Sequence, residues 1–482
     1  MSQLLESSPY EDKLTANRFI LFLLKPNGWA LFLLIYFSIH FILRVMLSTS
    51  LQIDGAEQIL DSQELLVNYG NFQPPLLTWI YHFLWRLVDP SVWSYVLIRY
   101  LILFAAFLVW HRVSLLLFTN VYHQFLAATS WLLLFDFSWK LHQGSSHTTL
   151  LMLALIMSLH AILLIRKKVN LRWYLYLGFA MGVGISSKYS YAAFVVCALV
   201  ASLFIADFRV RLIDKKIISS FLVALLFGLP AMVSLGFQAL SLEASLKGEV
   251  GYKLGGILNA DFSGLLSFML VFVEFTTPLW IIYLFIGKYS IRKTSMEIAV
   301  RQWFVLFVLS FALLFVLASF FLTIEGLKAR WMPPFMFLLP FVFIGFMQFE
   351  NVGWRRKTGY ITPFILIILF LIGRYIQMTY VDSEARKLSR LVWPVSEAIN
   401  QIHFDSFNGA TIFSEDEYLA ANLRIGSHKK IVTRRPSSHE SYVEFYGELI
   451  RNDTSDIKCP AGSCVFAENG DVGYLINWNR RN

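Results

Sequence analysis

The chain has 482 residues, of which 57% are hydrophobic, 16% aromatic and only 15% charged, and its mean hydropathy is +0.58. Soluble globular domains carry about 25% charged residues, so this composition excludes one and points to a polytopic helical membrane protein. The net charge of +9 follows from where basic loops fall, and it calls for no nucleic-acid partner.

In chain order, the apolar segment Arg18 to Leu24 is too short to span and lacks a small-residue cleavage site, so it reads as an interfacial helix rather than a signal peptide. Eleven spans follow, at 27–48, 91–118, 122–139, 147–165, 171–186, 188–206, 216–238, 263–286, 302–322, 333–349 and 358–378. Each approaches the roughly 20 residues that cross ~30 Å of hydrocarbon. Basic residues concentrate in "RKKVNLR" from Arg166, "RVRLIDKK" from Arg209, "KYSIRKTSMEIAVR" from Lys288 and "WRRK" from Trp354. Short basic loops stay cytoplasmic, and all four fall on one side if the N-terminus is cytoplasmic. The opposite, periplasmic face then receives the first loop (49–90), residues 140–146, Lys188, the loops 239–262 and 323–332, and everything after about 379.

Two parts are expected: a membrane domain over 1–378 and a small periplasmic α/β domain over 379–482. In the second, "GATIFS", "KKIVT", "SCVFAE" and "GYLINW" read as strands and "EDEYLAANLRI" as a helix. Cys459 and Cys464 close "CPAGSC", a spacing that suits a small disulfide loop in an oxidising compartment and equally two reduced thiols. No further ligands stand nearby for a metal site.

The first loop is the acidic feature. Asp54, Glu57, Asp61 and Glu64 fall within eleven residues, followed by "PPLLTWIYHFLWRLVDP", whose prolines suit a helix start and whose length and aromatics suit an interfacial helix on the outer face. Asp54 and Glu57 share a face if the segment is helical. A carboxylate beside another acid at a low-dielectric boundary is expected to have a raised pKa, as a general base acting on a hydroxyl requires. The bland alternative is a solvated acidic loop.

Lys188, in "GVGISSKYSYAAF", places one ammonium between two apolar runs, where it snorkels or meets an anion such as a lipid phosphate. Lys328 and Arg330 in "TIEGLKARWMPPF" add cations on the same outer side, either as a phosphate fork or as a headgroup rim. The loop "FDFSWKLHQGSSHTTL" offers Asp136, Lys140, His142 and His147. Asp54 with His147 leaves room for a divalent metal, although the spacing matches no standard zinc pattern and a hydrogen-bonded interior histidine is commoner. Metal dependence therefore stays open, and no other cofactor is implied.

Side by side, "DGAEQ" after the first span, "GNFQPPLLTWI", "SHTTLLMLAL", "GFAMGVGISSKYSY" and "KARWMPPFMFLLP" resemble the GT-C type membrane glycosyltransferases that use polyprenyl-phosphate sugars. The likeness is to the bacterial branch with the lipid A aminoarabinose transferase and rhizobial galacturonosyltransferases, and more distantly to protein O-mannosyltransferases. It implies an all-α GT-C fold, with Asp54 as catalytic aspartate, Lys188 as the lysine associated with lipid phosphate, and Arg330 as the basic residue of the later outer loop. Gln73 joins Lys140, His142 and His147 as a candidate contact for donor or acceptor. Many relatives carry Asp-Glu where this chain has Asp54-Gly55, so Glu57 is the candidate second acid. The implied partners are a polyprenyl-phosphate-linked sugar, a lipid or glycan acceptor and membrane lipids. The implied reaction is inverting transfer of one sugar to lipid A, lipopolysaccharide or another envelope acceptor at the bacterial inner membrane. The alternatives are a protein acceptor and a flippase for the polyprenyl-linked sugar. Transporters usually show repeats and broken mid-membrane helices, whereas no fixed-period repeat is read here and the notable charges fall at span ends.

Overall fold

The computed structural model describes residues 18–71, 73–144, 146–245, 263–289, 296–321, 332–348, 353–379, 390–407, 410–433, 442–451, 464–469 and 472–481. Contacts group the chain into two compact units: 1–36, 70–76 and 102–370 form one, and 37–69, 77–101 and 371–482 form the other.

Among the described residues six helices are long and apolar enough to cross a membrane: Pro26–Leu47, Val92–Leu117, Ser146–Lys167, Ile217–Ala239, Ile298–Leu317 and Gly353–Thr379. They match six of the eleven expected spans. A seventh arises if Tyr191–Phe204 and Ala206–Leu212, which meet at a 114° bend, count together. Helix Leu171–Ser187 has only 17 residues.

The other expected spans are broken, for identifiable reasons. Residues 122–139 form a helix Val121–Thr129, a 3₁₀ turn Ser130–Leu133 and a wide π turn Asp136–Lys140. Span 263–286 divides at Pro278, which lacks an N–H to continue the ladder, into Ser263–Thr276 and Leu279–Ile286. Span 333–349 begins on Pro333 and Pro334 and restarts at Leu339 beside Pro340.

In the first unit, helix Leu171–Ser187 packs against Ser146–Lys167 and Ile217–Ser245. Gly178 and Gly182, four apart, allow the close approach: a Cβ at 178 would lie 2.4 Å from the Ser220 carbonyl oxygen, and one at 182 would lie 2.5 Å from Phe227. Small residues at this spacing let membrane helices meet backbone to backbone. Ser220 Oγ donates to the Tyr174 carbonyl at 2.7 Å and Ser186 Oγ to the Phe227 carbonyl at 2.8 Å, closing the same seam. Elsewhere the core is aromatic, with Trp110 stacked between Trp131 and Phe341 at ring distances of 4.2 and 3.9 Å.

The second unit contains a five-stranded sheet in the order Ile431–Val432, Thr411–Phe413, Tyr442–Arg451, Val472–Arg481, Cys464–Asn469. The first three strands run parallel and the remaining pairings are antiparallel. Helix Glu417–Ser427 connects Thr411–Phe413 to Ile431–Val432, as a parallel pair requires. Its start is set by Asp416, whose carboxylate accepts from the Tyr418 and Leu419 amides at 2.8 and 3.3 Å. The four strands and the helix expected from sequence are present, and Tyr442–Arg451 is a strand that reading missed. Its Gly447 and its glutamates at 444 and 448 blur the apolar alternation that identifies a strand. Cys464 is disulfide-bonded, Cys197 is free and buried, and Cys459 lies outside the described residues.

Candidate functional site

The first loop folds as two short helices on the second unit. Ile53–Asp61 begins immediately after the first span and carries Asp54 in its first turn, where the partial positive charge of a helix start favours a carboxylate. Glu57 follows one turn later on the same face, and both acids are half-buried. Gln58 is fully buried and its Oε1 accepts from Thr78 Oγ1 at 3.2 Å, which joins this helix to Leu76–Leu84, the outer-face helix expected from the proline pair. Trp85 Nε1 donates to Ser62 Oγ at 2.6 Å, reinforcing the join. Tyr81 stacks on Tyr95 at 5.2 Å, and burial holds its hydroxyl well above its ordinary pKa.

The tail grips this loop. The Leu51 amide donates to Asn422 Oδ1 at 3.4 Å, Ser48 Oγ to the Leu391 carbonyl at 2.6 Å, and Ser50 Oγ to the Trp393 carbonyl at 2.8 Å. Gln63 is the centre of the joint. Its Oε1 accepts from the Ile431 amide at 2.9 Å and from Arg424 at 3.0 Å, while its Nε2 donates to the Ile431 carbonyl at 3.0 Å. Glu64 pairs with Lys430. Of the four first-loop acids, Glu64 is thus turned to the tail.

Beneath the loop helix, still in the second unit, three arginines from three spans converge. Arg44, Arg99 and Arg374 are 3%, 3% and 2% exposed, and Arg44 lies close enough to the other two to be repelled by both. His40 feels Arg374 in the same way. Arg44 donates to the carbonyls of Ser48 and Ser50 at 2.6 and 2.5 Å, both neutral partners. Arg99 donates to Tyr95 Oη at 2.7 Å and lies 5.0 Å over that ring. The sequence reading missed this cluster. Its signal was one arginine inside each apolar run, in "FILRV", "LIRY" and "LIGRY", since charges within spans are costly and mark functional positions.

The first unit holds a second group. Lys188 ends helix Leu171–Ser187, is half-buried, and donates to Thr148 Oγ1 at 3.2 Å. His147 Nδ1 meets the Ser187 carbonyl at 3.3 Å, so Lys188 and His147 share one corner. His142 is buried and its Nε2 contacts Tyr36 Oη at 3.1 Å. Lys140 is committed to two carboxylates, Asp136 at 3.4 Å and Glu274 at 2.5 Å. Gln73 is half-buried with its Oε1 unpartnered, and its neighbour Asn71 accepts from Gln238 at 2.8 Å through the backbone carbonyl.

Thus Asp54 and Glu57 belong to one unit, and Gln73, Lys140, His142, His147 and Lys188 to the other. Lys328 and Arg330 lie outside the described residues. Among the described residues no three His, Cys, Asp or Glu side chains gather as metal ligands. One unit therefore holds both carboxylates and buried guanidinium groups, and the other an ammonium with histidine.

Comparisons with known proteins bear on these features. Residues 72–233 match the family model for dolichyl-phosphate-mannose-protein mannosyltransferase. The lipopolysaccharide core galacturonosyltransferase RgtA of Rhizobium johnstonii is 27% identical over 412 residues, covering 82% of this chain and 79% of that protein. RgtB of the same strain is 24% identical over 401 residues, covering 81% and 79%. The crystal structure of ArnT from Cupriavidus metallidurans, bound to undecaprenyl phosphate, superposes with a TM-score of 0.55 at 13% identity, over 93% of this chain and 98% of that one. The last shows the fold, GT-C, and all of them agree with the class that the sequence motifs resemble.

Proposed function

We propose that this chain, a multi-pass membrane glycosyltransferase of the GT-C type, transfers one sugar from a polyprenyl-phosphate carrier to lipopolysaccharide or another envelope glycan. The reaction takes place at the periplasmic face of the inner membrane. The observation that carries the reading is the first loop: Asp54 and Glu57 on one face of a short helix at the mouth of the first span, held by the tail over three buried arginines.

Asp54 is the base in this reading. An acceptor hydroxyl attacks the anomeric carbon, its proton passes to Asp54, and the anomeric C–O bond to phosphate breaks on the opposite face, so configuration inverts. The phosphate leaves as an anion and mainly needs cations around it, unlike the leaving group of a glycosidase, which needs an acid. Lys188 is assigned to the lipid phosphate, and the same role is proposed for Lys328 and Arg330 from their sequence alone. The sugar is assigned as a uronic acid, because two relatives are named galacturonosyltransferases and buried arginines suit a carboxylate through paired hydrogen bonds.

A protein acceptor is the second reading, favoured by the description of the matching family model. The test is reconstitution of the full chain with labelled polyprenyl-phosphate uronate and either truncated lipopolysaccharide or periplasmic protein. Label should move to the glycolipid, and Asp54→Asn should slow it by about 100-fold or more, the scale of general-base loss. Equal rates for the variant remove Asp54 as base, label on protein selects the second reading, and translocation of intact donor without transfer makes the chain a flippase.

A further inference from the structure

A groove opens in the first unit between helices Ser146–Lys167, Leu171–Ser187, Tyr191–Phe204 and Ile217–Ser245, closed at one end by the bent segment Ala206–Leu212. The cavity it encloses is about 130 Å³, less than the roughly 300–1,000 Å³ of a site that engulfs a whole small ligand, so it can take part of one chain with the rest of the molecule outside. Its walls are apolar, including Leu177, Met181, Phe194, Leu199 and Phe208, and its polar end is Arg211.

Two of the cations around that end hold carboxylates, and Asp214 also lies close enough to Arg211 to feel its charge. Arg166 takes Asp207 at 3.2 Å and also Glu297. Asp214 takes Lys216 at 3.3 Å. Arg211 is half-buried, and its Nε is fully covered and accepted by nothing among the described residues. Arg209 and Lys215, both exposed, add positive charge at the same rim. A covered guanidinium nitrogen without a partner costs free energy until an acceptor reaches it. An apolar groove that ends in such a group suits an amphiphile with an anionic head.

We propose that this groove binds one anionic glycerophospholipid, with part of an acyl chain between the helices and its phosphate on Arg211. The donor carrier is a poorer occupant. Arg211 lies beyond the far end of Tyr191–Phe204 from Lys188, and that helix of 14 residues alone separates them by about 21 Å. A phosphate held at Lys188 is therefore not the one that meets Arg211. Basic pockets between spans on the side of the basic loops are the usual place for anionic headgroups, and Val210 on the bent segment and Ile213 at its end are 59% and 74% exposed, the pattern of a helix suited to lie at a membrane surface.

The full chain in mild detergent is incubated with dioleoyl phosphatidylglycerol, dioleoyl phosphatidylcholine or undecaprenyl phosphate, and retained lipids are counted by native mass spectrometry. Wild type should retain one phosphatidylglycerol at least tenfold more tightly than phosphatidylcholine. Arg211→Gln should abolish that preference, Arg211→Lys should keep most of it, and Leu199→Trp, which narrows the groove, should weaken both lipids alike. Melting temperatures of each variant identify any that has failed to fold. Equal retention of the two phospholipids by wild type overturns the proposal. So does a preference that survives Arg211→Gln, competitive displacement of phosphatidylglycerol by undecaprenyl phosphate, or a dimer that forms through the groove.

Discussion

Gln63→Ala separates the first loop from the tail without touching an acid. Gln63 makes three tertiary hydrogen bonds, two with the backbone of Ile431 and one with Arg424. Ile431 is 1% exposed, so its amide would be left without water or protein, at a cost of about 1–3 kcal/mol. The Arg424 bond is charge-assisted, but that side chain is partly solvated, so its contribution is discounted to about 1 kcal/mol. Together about 2–4 kcal/mol of docking is lost, and at 1.4 kcal/mol per decade the loop opens about 30- to 1,000-fold more often. Hydrogen exchange of a peptide covering Ile53–Asp61, in the purified full chain, should accelerate by that factor in the limit of fast reclosing. If the proposed role of Asp54 holds, kcat should fall as well, since a base displaced by about 1 Å loses most of its advantage. Unchanged exchange would refute the hydrogen-bond account. Faster exchange with unchanged turnover would refute the claim that the tail positions Asp54.

Lys188→Met should raise the KM for polyprenyl-phosphate donor by about 100-fold, the loss of one charge-assisted contact of about 1.5–3 kcal/mol, with Lys188→Arg retaining part; a KM within threefold of wild type sinks the phosphate assignment. Arg99→Gln should lower the ratio of kcat/KM for a uronosyl over a galactosyl donor by at least tenfold. Because misfolding scales both donors alike, an unchanged ratio rejects the uronate reading. In the tail, burial holds Tyr418 and Tyr474 above their ordinary value of 10.0, Tyr418 next to Tyr474 and Tyr474 next to Asp416. The unfolded chain then releases these protons first, so their stabilising effect is full below about pH 10 and declines as pH rises beyond it. Thermal melts of the full chain should show the tail transition falling between about pH 10 and 11.5 and recovering in Tyr418→Phe/Tyr474→Phe.

What the sequence revealed depended on how local the cause was. Long spans such as Val92–Leu117 announce themselves because a helix that crosses hydrocarbon must be predominantly apolar, and Lys188 was visible as one ammonium between two such runs. The breaks were less legible. Pro278 was in plain view, but the wide turn at Asp136–Lys140 has no proline or glycine to mark it and is braced from a distant segment, with the Phe135 amide donating to the Thr277 carbonyl at 3.3 Å. Glu64 looked like one of four equivalent acids. Its partner Lys430 is 366 residues away, and no local pattern encodes such a pairing. The arginine cluster failed for the same reason: each run showed one arginine, and only the fold brings the three together.

Gly55, the departure from the Asp-Glu pair of similar transferases, has a cause in this arrangement. A Cβ at position 55 would lie 3.2 Å from two carbons of the Tyr95 ring and 3.3 Å from its hydroxyl oxygen. Neither neighbour can give way cheaply, because Tyr95 is 2% exposed, stacked on Tyr81, and bonded through its hydroxyl to Arg99. A glutamate there would press on the ring that Arg99 bonds and require it to give by a few tenths of an ångström. The acid beside Asp54 and the Tyr95–Arg99 contact thus compete for one small space. Glu57, one turn on and half-buried on the Asp54 face, is the carboxylate that helix geometry leaves available to tune Asp54. The proposed arginine specificity and the missing second acid are in that sense one substitution: losing a side chain at 55 lets the loop helix press against the tyrosine that holds Arg99.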